Sequence, residues 1–216
     1  MNFFRKIDYQ NSSSNIICEN QIYSYRDLFY DINKFNFLAE KKSLVFILSE
    51  NNYECVAAYS GVSYFDSVVL LLDRSIKEEA LSTLINSFKP SYIFQNTNRM
   101  AIDNWVPVLK IGVYCLYSTG YTKDYVLNKN LSLLLPTSGT TGSPKCVRLS
   151  YSNIYSNTVA ICNYLNISSR DRVITTLPMS YSYGLSIINT HLFSNSSLIL
   201  TNLSFAQRLI WDIIKK

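Results

Sequence analysis

The chain has 216 residues, 48% of them hydrophobic and 16% charged, with 20 Lys and Arg against 15 Asp and Glu for a net charge of +5. A chain this long and this apolar can bury a core, which excludes an intrinsically disordered polypeptide, and no apolar run nears the roughly 18 residues of a membrane span. The positive charge is dispersed, densest at Lys41-Lys42 and Lys215-Lys216, and forms no stripe that could follow a nucleic-acid backbone.

The amino terminus mixes Arg5, Lys6 and Asp8 with isolated aromatics and lacks the apolar segment of a secretory signal, so a cytoplasmic location is expected. Ser24-Tyr25-Arg26-Asp27 can cap a helix whose apolar positions Leu28, Ile32, Phe35 and Leu38 recur at three- and four-residue steps. Residues 44–48 read as a buried strand. Beyond Glu50-Asn51-Asn52, a helix aligns Tyr53, Val56, Ala57, Ser60 and Tyr64 on one face, and residues 68–72 form a second buried strand. Such a strand-helix-strand unit favours a parallel pair with a right-handed crossover.

Ser75 and Glu78 have the spacing of a capping box for the next helix, with Ala80, Leu81, Leu84, Ile85 and Phe88 as its stripe and Pro90 as its stop. A strand at 92–94 follows. Between 95 and 130 the pattern weakens to one strand at 113–116 and a set of connections. Strands at 131–135 and 146–149, a helix from about Ser152, a strand at 173–177, a helix near Gly184, a strand at 198–200 and a helix from Ser204 complete the alternation. The predicted class is α/β, layered, with a mostly parallel sheet.

Cys18, Cys55, Cys115, Cys146 and Cys162 are odd in number and never paired as C-x-x-C, so they signal neither a disulfide framework nor a zinc site, and no metal ligand set is expected. His191 has no orienting Ser, Cys or acidic partner nearby in sequence, which makes it a packing residue.

The chemistry is concentrated between the strands at 131 and 146, in Pro136-Thr137-Ser138-Gly139-Thr140-Thr141-Gly142-Ser143-Pro144-Lys145. The string gathers hydroxyls, two glycines and a lysine without an acidic residue. Glycine lets the backbone approach a ligand closely, and hydroxyls with successive main-chain N–H groups donate to anionic oxygens, so the loop suits phosphate, with Lys145 as a point charge. It is not a Walker A loop: G-x-x-x-x-G-K-[ST] is absent, and a strand-like run follows instead of a helix. An ordinary phosphate-loop kinase or ATPase is therefore disfavoured.

This string resembles, almost letter for letter, the phosphate-binding signature T-S-G-T-T-G-x-P-K of the adenylate-forming superfamily, which contains acyl-CoA synthetases, aryl-CoA ligases, firefly luciferase and peptide-synthetase adenylation domains. The likeness extends to Tyr25 and Leu28 as a "Y-x-x-L" helix entry, to Leu71-Leu72-Asp73 as a strand end often read P-L-D, and to Leu177-Pro178-Met179-Ser180-Tyr181-Ser182-Tyr183-Gly184 as the "L-P-x-x-H-x-x-G" segment beside the carboxylate channel. All 216 residues resemble the front part of the large N-terminal domain.

The resemblance implies ATP phosphates bound by Thr137, Ser138, Gly139, Thr140, Thr141, Gly142 and Lys145, and a substrate pocket bordered by Tyr181, Tyr183 and Gly184. It implies Mg²⁺ with the nucleotide, a small carboxylic acid as substrate, and CoA or a carrier-protein phosphopantetheine as acceptor. Two departures matter. Tyr181 stands where many members have histidine, and Cys146 replaces the usual glycine after the lysine, where a packed, inert thiol is expected.

The family's aromatic-Gly-x-Thr-Glu segment, its later Gly-Asp and its small C-terminal domain have no counterpart here, so an incomplete N-terminal domain, inactive by itself, is expected. Phe205, Leu209, Ile210 and Ile213 of the last helix would then pack on further chain or on another copy. The alternative is a non-catalytic, truncated protein that binds a nucleotide or a partner.

Overall fold

A computed structural model describes residues 1–19, 21–99, 104–121, 125–137, 145–204 and 206–214. The chain opens with a 3₁₀ turn at Phe3–Lys6, whose Phe3 and Phe4 are buried, and continues into two short strands, β1 (Asn15–Cys18) and β2 (Gln21–Ser24). Helix α1 (Tyr25–Asn33) starts as its sequence dictates: Ser24 accepts the Asp27 N–H, and the Asp27 carboxylate takes the Ser24 N–H in return.

Strand β3 (Leu44–Ser49) is buried along its whole length, as a strand covered on both faces must be. Helix α2 (Tyr53–Tyr64) follows from an Asn52 cap, and β4 (Val68–Asp73) pairs with β3 in parallel, Leu44 opposite Val68 and Ser49 opposite Asp73. Helix α3 (Glu78–Phe88) leads to β5 (Tyr92–Asn96), parallel to β3 on its other side. An antiparallel hairpin of β6 (Val106–Ile111) and β7 (Tyr114–Ser118) extends the sheet from β5. A second hairpin, β8 (Leu131–Pro136) and β9 (Cys146–Ser150), extends it from β4, with β8 parallel to β4.

The remaining elements are α4 (Tyr151–Leu165), β10 (Arg172–Thr175), α5 (Ser182–Phe193), β11 (Ser197–Leu200) and α6 (Arg208–Ile214). They complete a second, four-stranded sheet ordered β10-β11-β1-β2, beside the seven-stranded sheet ordered β6-β7-β5-β3-β4-β8-β9.

The period-two alternation of strands divides the core. Val45, Ile47, Val69 and Leu71 face a large cluster that also holds α1, α2, α5 and the second sheet, whereas Leu44, Phe46, Leu48, Val68, Leu70 and Leu72 face a smaller cluster under α3. Helix α2 touches β3 and β4 of the larger sheet and β1 of the smaller, which explains why its burial runs round the whole helix and not along one face.

Five local expectations change. Helix α1 ends at Asn33, so Phe35 and Leu38 lie beyond it, Leu38 in a separate 3₁₀ turn at Asn36–Ala39. The segment at 21–24 is a strand before it is a helix entry. Val106–Ile111 is a strand, with Pro107 tolerated because β6 is the sheet edge and loses no interior ladder bond. Ser75 does not cap α3: its N–H and hydroxyl both donate to the Asp73 carboxylate, at 2.8 and 2.5 Å, and the helix starts later from Lys77. An ionised acceptor at the strand end outcompetes the cap. The last helix begins at Arg208, after the Ser204 N–H meets the Gln207 side chain.

Candidate active site

Strands β3, β4 and β8 run parallel, so Ser49, Asp73 and Pro136 end at one edge of the larger sheet. In doubly wound folds, ligands sit in the crevice outside such carboxyl ends. The glycine- and hydroxyl-rich string leaves the sheet at this edge between β8 and β9, whose ladder runs from Leu131 opposite Ser150 to Pro136 opposite Cys146.

One step beyond the last pair, the Thr137 N–H donates to the Lys145 carbonyl at 3.0 Å and the Thr137 hydroxyl to the same oxygen at 3.2 Å. The two ends of the string are thus joined at a neck, with both residues exposed. Ser138, Gly139, Thr140, Thr141 and Gly142 lie outside the described residues. Among the described residues the next element is the strand β9, whereas a Walker loop leads into a helix. Cys146 packs against the smaller core cluster, and burial pushes its thiol up, away from the thiolate a reactive cysteine needs.

The second candidate segment follows β10. Its Pro178 carbonyl accepts the Tyr181 N–H at 3.0 Å, a turn that delivers the chain into α5. Tyr181 and Tyr183 are 66% and 65% exposed. Gly184 is buried, and a Cβ there would lie 2.3 Å from the Pro178 oxygen and 2.7 Å from the Leu177 oxygen. Its absence of side chain lets the first turn of α5 press onto the 177–178 backbone. Among the three pocket candidates, the tyrosines are therefore the groups presented to solvent, and the glycine is a packing necessity.

Asn51, in the turn between β3 and α2, joins the two sheets at this edge. Its side-chain amide donates to the Leu177 carbonyl at 3.0 Å and to the Thr201 carbonyl at 3.1 Å, and its Oδ1 accepts the Met179 N–H at 3.0 Å. Its main-chain N–H donates to Asn202 Oδ1 at 3.0 Å. Nothing local distinguishes Asn51 from its neighbour Asn52, an ordinary helix cap whose side chain accepts the Cys55 N–H at 2.9 Å. The partners of Asn51 lie 126 to 151 residues away.

Glu50, beside it, pairs with Arg74 at 2.5 Å and accepts a hydrogen bond from the Tyr114 hydroxyl. Arg99 pairs with Glu78 at 2.5 Å and donates to the Arg74 and Ile76 carbonyls. A cavity of about 350 Å³ between these arginines is thus walled by neutralised charge. A larger one, about 440 Å³, lies at the opposite, amino edge near Leu44, Leu131 and Arg148, remote from the neck.

His191 is a packing residue, as expected. Its Nδ1 lies 2.8 Å from the Ile187 carbonyl, and burial holds its pKa below the usual imidazole value against the opposing pull of that carbonyl and of Asp171.

Comparison with known proteins adds to this geometry. A 2-succinylbenzoate–CoA ligase of Bacillus cytotoxicus is 26% identical over 166 residues, which are 74% of this chain and 34% of that enzyme. A linear gramicidin synthase polypeptide of Brevibacillus parabrevis is 23% identical over 164 residues, 73% of this chain and 2% of that protein. The chain therefore spans about a third of the CoA ligase it matches and a small part of the synthase.

Among solved structures, ATP-bound MatB from Rhodopseudomonas palustris superposes with a TM-score of 0.79 at 22% identity, covering 100% of this chain and 48% of that one. O-succinylbenzoate coenzyme A synthetase from Bacillus subtilis, in complex with AMP, superposes at 0.75 with 19% identity, covering 99% and 59%. These likenesses establish the fold. The AMP-binding enzyme family matches residues 3–216, nearly the whole chain, and the protein belongs to that family.

Proposed function

We propose that these residues form the ATP-phosphate and carboxylate-side part of an AMP-forming carboxylate ligase. The reaction is in-line attack of a substrate carboxylate on the α-phosphate of ATP, giving an acyl-adenylate and pyrophosphate, followed by transfer of the acyl group to a thiol of CoA or of a carrier-protein phosphopantetheine. The observation that carries this reading is the closed neck at Thr137 and Lys145, at the carboxyl edge of a parallel sheet, in a chain of the AMP-binding enzyme family.

In this reading Thr137, Ser138, Gly139, Thr140, Thr141, Gly142 and Lys145 hold the phosphates. Their task is positioning and electrostatic: N–H and O–H donors and one ammonium offset the charge that accumulates on departing pyrophosphate, with no covalent step on the protein. Donors of this kind suit phosphate oxygens, and no group of three His, Cys, Asp or Glu able to hold a metal ion occurs among the described residues. Mg²⁺, which the family implies, would supply further charge neutralisation on the nucleotide. Tyr181 and Tyr183 would flank the carboxylic acid as it approaches; no aspartate stands in their segment to hold the ammonium of an α-amino acid.

The test is carboxylate-dependent ATP–pyrophosphate exchange in the protein carrying these residues, run with 2-succinylbenzoate, oxalate and a set of amino and fatty acids. Exchange with at least one non-amino carboxylate is the expected result. Nucleotide binding without exchange on any acid would favour the non-catalytic alternative.

A further inference from the structure

Asn51 uses its whole amide. One oxygen accepts the Met179 N–H, and the two N–H bonds of the other end go to the Leu177 and Thr201 carbonyls, all between 3.0 and 3.1 Å, in a residue 2% exposed. It directly follows β3 and Glu50, while Leu177–Met179 and Thr201 follow β10 and β11. The carboxyl ends of three strands, one from the larger sheet and two from the smaller, are therefore fastened through a single side chain.

The fastening reaches the second candidate segment by a short relay. Pro178, between the two main-chain groups that Asn51 holds, accepts the Tyr181 N–H and presses on Gly184. On the other side, β3 is separated from β8, the strand that leads to the phosphate neck, by β4 alone. Two ladder spacings amount to about 10 Å.

We infer that Asn51 is a positioning residue for adenylation: it fixes the carboxylate-side segment 177–184 at a set distance from the sheet edge that bears the phosphate hairpin. The inference rests on the function proposed above. Among the described residues Asn51 makes its hydrogen bonds to Leu177, Met179, Thr201 and Asn202 and none to either hairpin strand, so its loss should disturb one substrate and spare the other. In-line attack requires the reacting atoms about 3 Å apart, and a displacement of about 1 Å costs on the order of 100-fold.

The experiment compares Asn51→Asp and Asn51→Ser with the unaltered protein. The aspartate is nearly isosteric and keeps an acceptor for the Met179 N–H, but it removes both donors and sets a charge against two carbonyls. The serine is smaller and uncharged, and serves if the aspartate variant fails to fold. The expected kinetic result is a fall of about 10-fold or more in kcat/KM for the carboxylate, with KM for ATP within about twofold. Hydrogen exchange at the Met179 and Tyr181 amides should accelerate by about 10-fold or more, with Val147 and Leu149 of the hairpin unchanged.

Folded variants with unaltered carboxylate kinetics, or with equal losses for both substrates, overturn the role. An unaltered protein that exchanges pyrophosphate with no carboxylate overturns the adenylation reading and this role together. The amide exchange then still reports whether Asn51 holds the segment, so the two failures are distinguishable.

Discussion

The N–H and the hydroxyl of Thr137 converge on one acceptor, the carbonyl of Lys145, at 3.0 and 3.2 Å. The neck is closed through the Lys145 carbonyl, and among the described residues no hydrogen bond of its side chain helps to hold it. Lys145→Ala should therefore leave the thermal midpoint within about 1 °C while weakening ATP binding by about 10- to 100-fold, the scale of one charge-assisted contact of about 1.5–3 kcal/mol. Thr137→Val keeps the main-chain bond and should cost less than about 0.5 kcal/mol, since the exposed hydroxyl can be replaced by water. Calorimetric titration with ATP beside thermal unfolding checks both. Loss of stability in Lys145→Ala would show that the lysine holds the hairpin and is not reserved for a ligand.

Gly184 sets two effects of opposite sign against each other. Alanine ordinarily favours a helix over glycine by about 1 kcal/mol. At position 184 the new methyl would meet two backbone oxygens at 2.3 and 2.7 Å, and backbone cannot swing aside as a flexible side chain can. Overpacking of this kind costs about 1–3 kcal/mol, so Gly184→Ala should lower stability by about 1–2 kcal/mol, read as an earlier urea midpoint at unchanged slope. A neutral or stabilised variant would mean that the turn at Pro178 yields.

The elements legible in the sequence are those whose signal is local. Ser24 with Asp27, the unbroken apolar runs of β3 and β4, and the Pro90 stop after α3 are each written within a few residues. Two strands of the smaller sheet, β10 and β11, are legible as well, but β1 and β2 and their pairing with β11 are hidden for the opposite reason. Ile16 of β1 lies beside Leu198 of β11, 182 positions on, and four-residue strands with half-exposed patterns such as that of β1 carry little periodicity. In β6, Pro107 and Lys110 suit a strand edge and mask the alternation of a strand. The candidate site divides the same way: Thr137 and Lys145 are legible from composition, whereas Asn51 acquires its role only when the ends of β3, β10 and β11 meet.

Tyr53 and Asp31 form a buried pair that ties α2 to α1. The phenol donates to the Asp31 carboxylate at 2.8 Å, Lys34 approaches the other oxygen at 2.6 Å, and the ring stacks on Tyr23 with centroids 3.6 Å apart. Tyr53→Phe preserves the stack and removes only the donor, leaving a half-satisfied carboxylate in a site 8% exposed. A charge-assisted bond of this kind carries about 1.5–3 kcal/mol, and the Lys34 ammonium compensates for part of it. The expected loss is about 1–2 kcal/mol by urea unfolding, with nucleotide affinity unchanged because the pair lies away from the neck. A loss below about 0.5 kcal/mol would assign the stabilisation to the aromatic stack.

His191 should make the fold acid-sensitive. Burial is the largest influence on its imidazole and lowers its pKa below 6.5, with the Ile187 carbonyl and Asp171 pulling weakly the other way. The unfolded chain consequently takes up a proton first as the pH falls. Stability is fully present above the unfolded pKa of about 6.5, declines as the pH drops from there to the folded value, and levels off below it. Each tenfold difference in proton affinity between the two states removes about 1.4 kcal/mol. His191→Gln cannot take up that proton, so its urea midpoint should be nearly equal at about pH 7.5 and about pH 5.5 apart from the background titration of carboxylates, whereas the unaltered protein should lose stability between the two. The variant will be the less stable of the pair at the higher pH, because a glutamine cannot reproduce both the fit of the ring and the 2.8 Å contact to Ile187. The diagnostic quantity is therefore the difference in pH dependence between the two proteins, and identical slopes across that interval would remove His191 as its source.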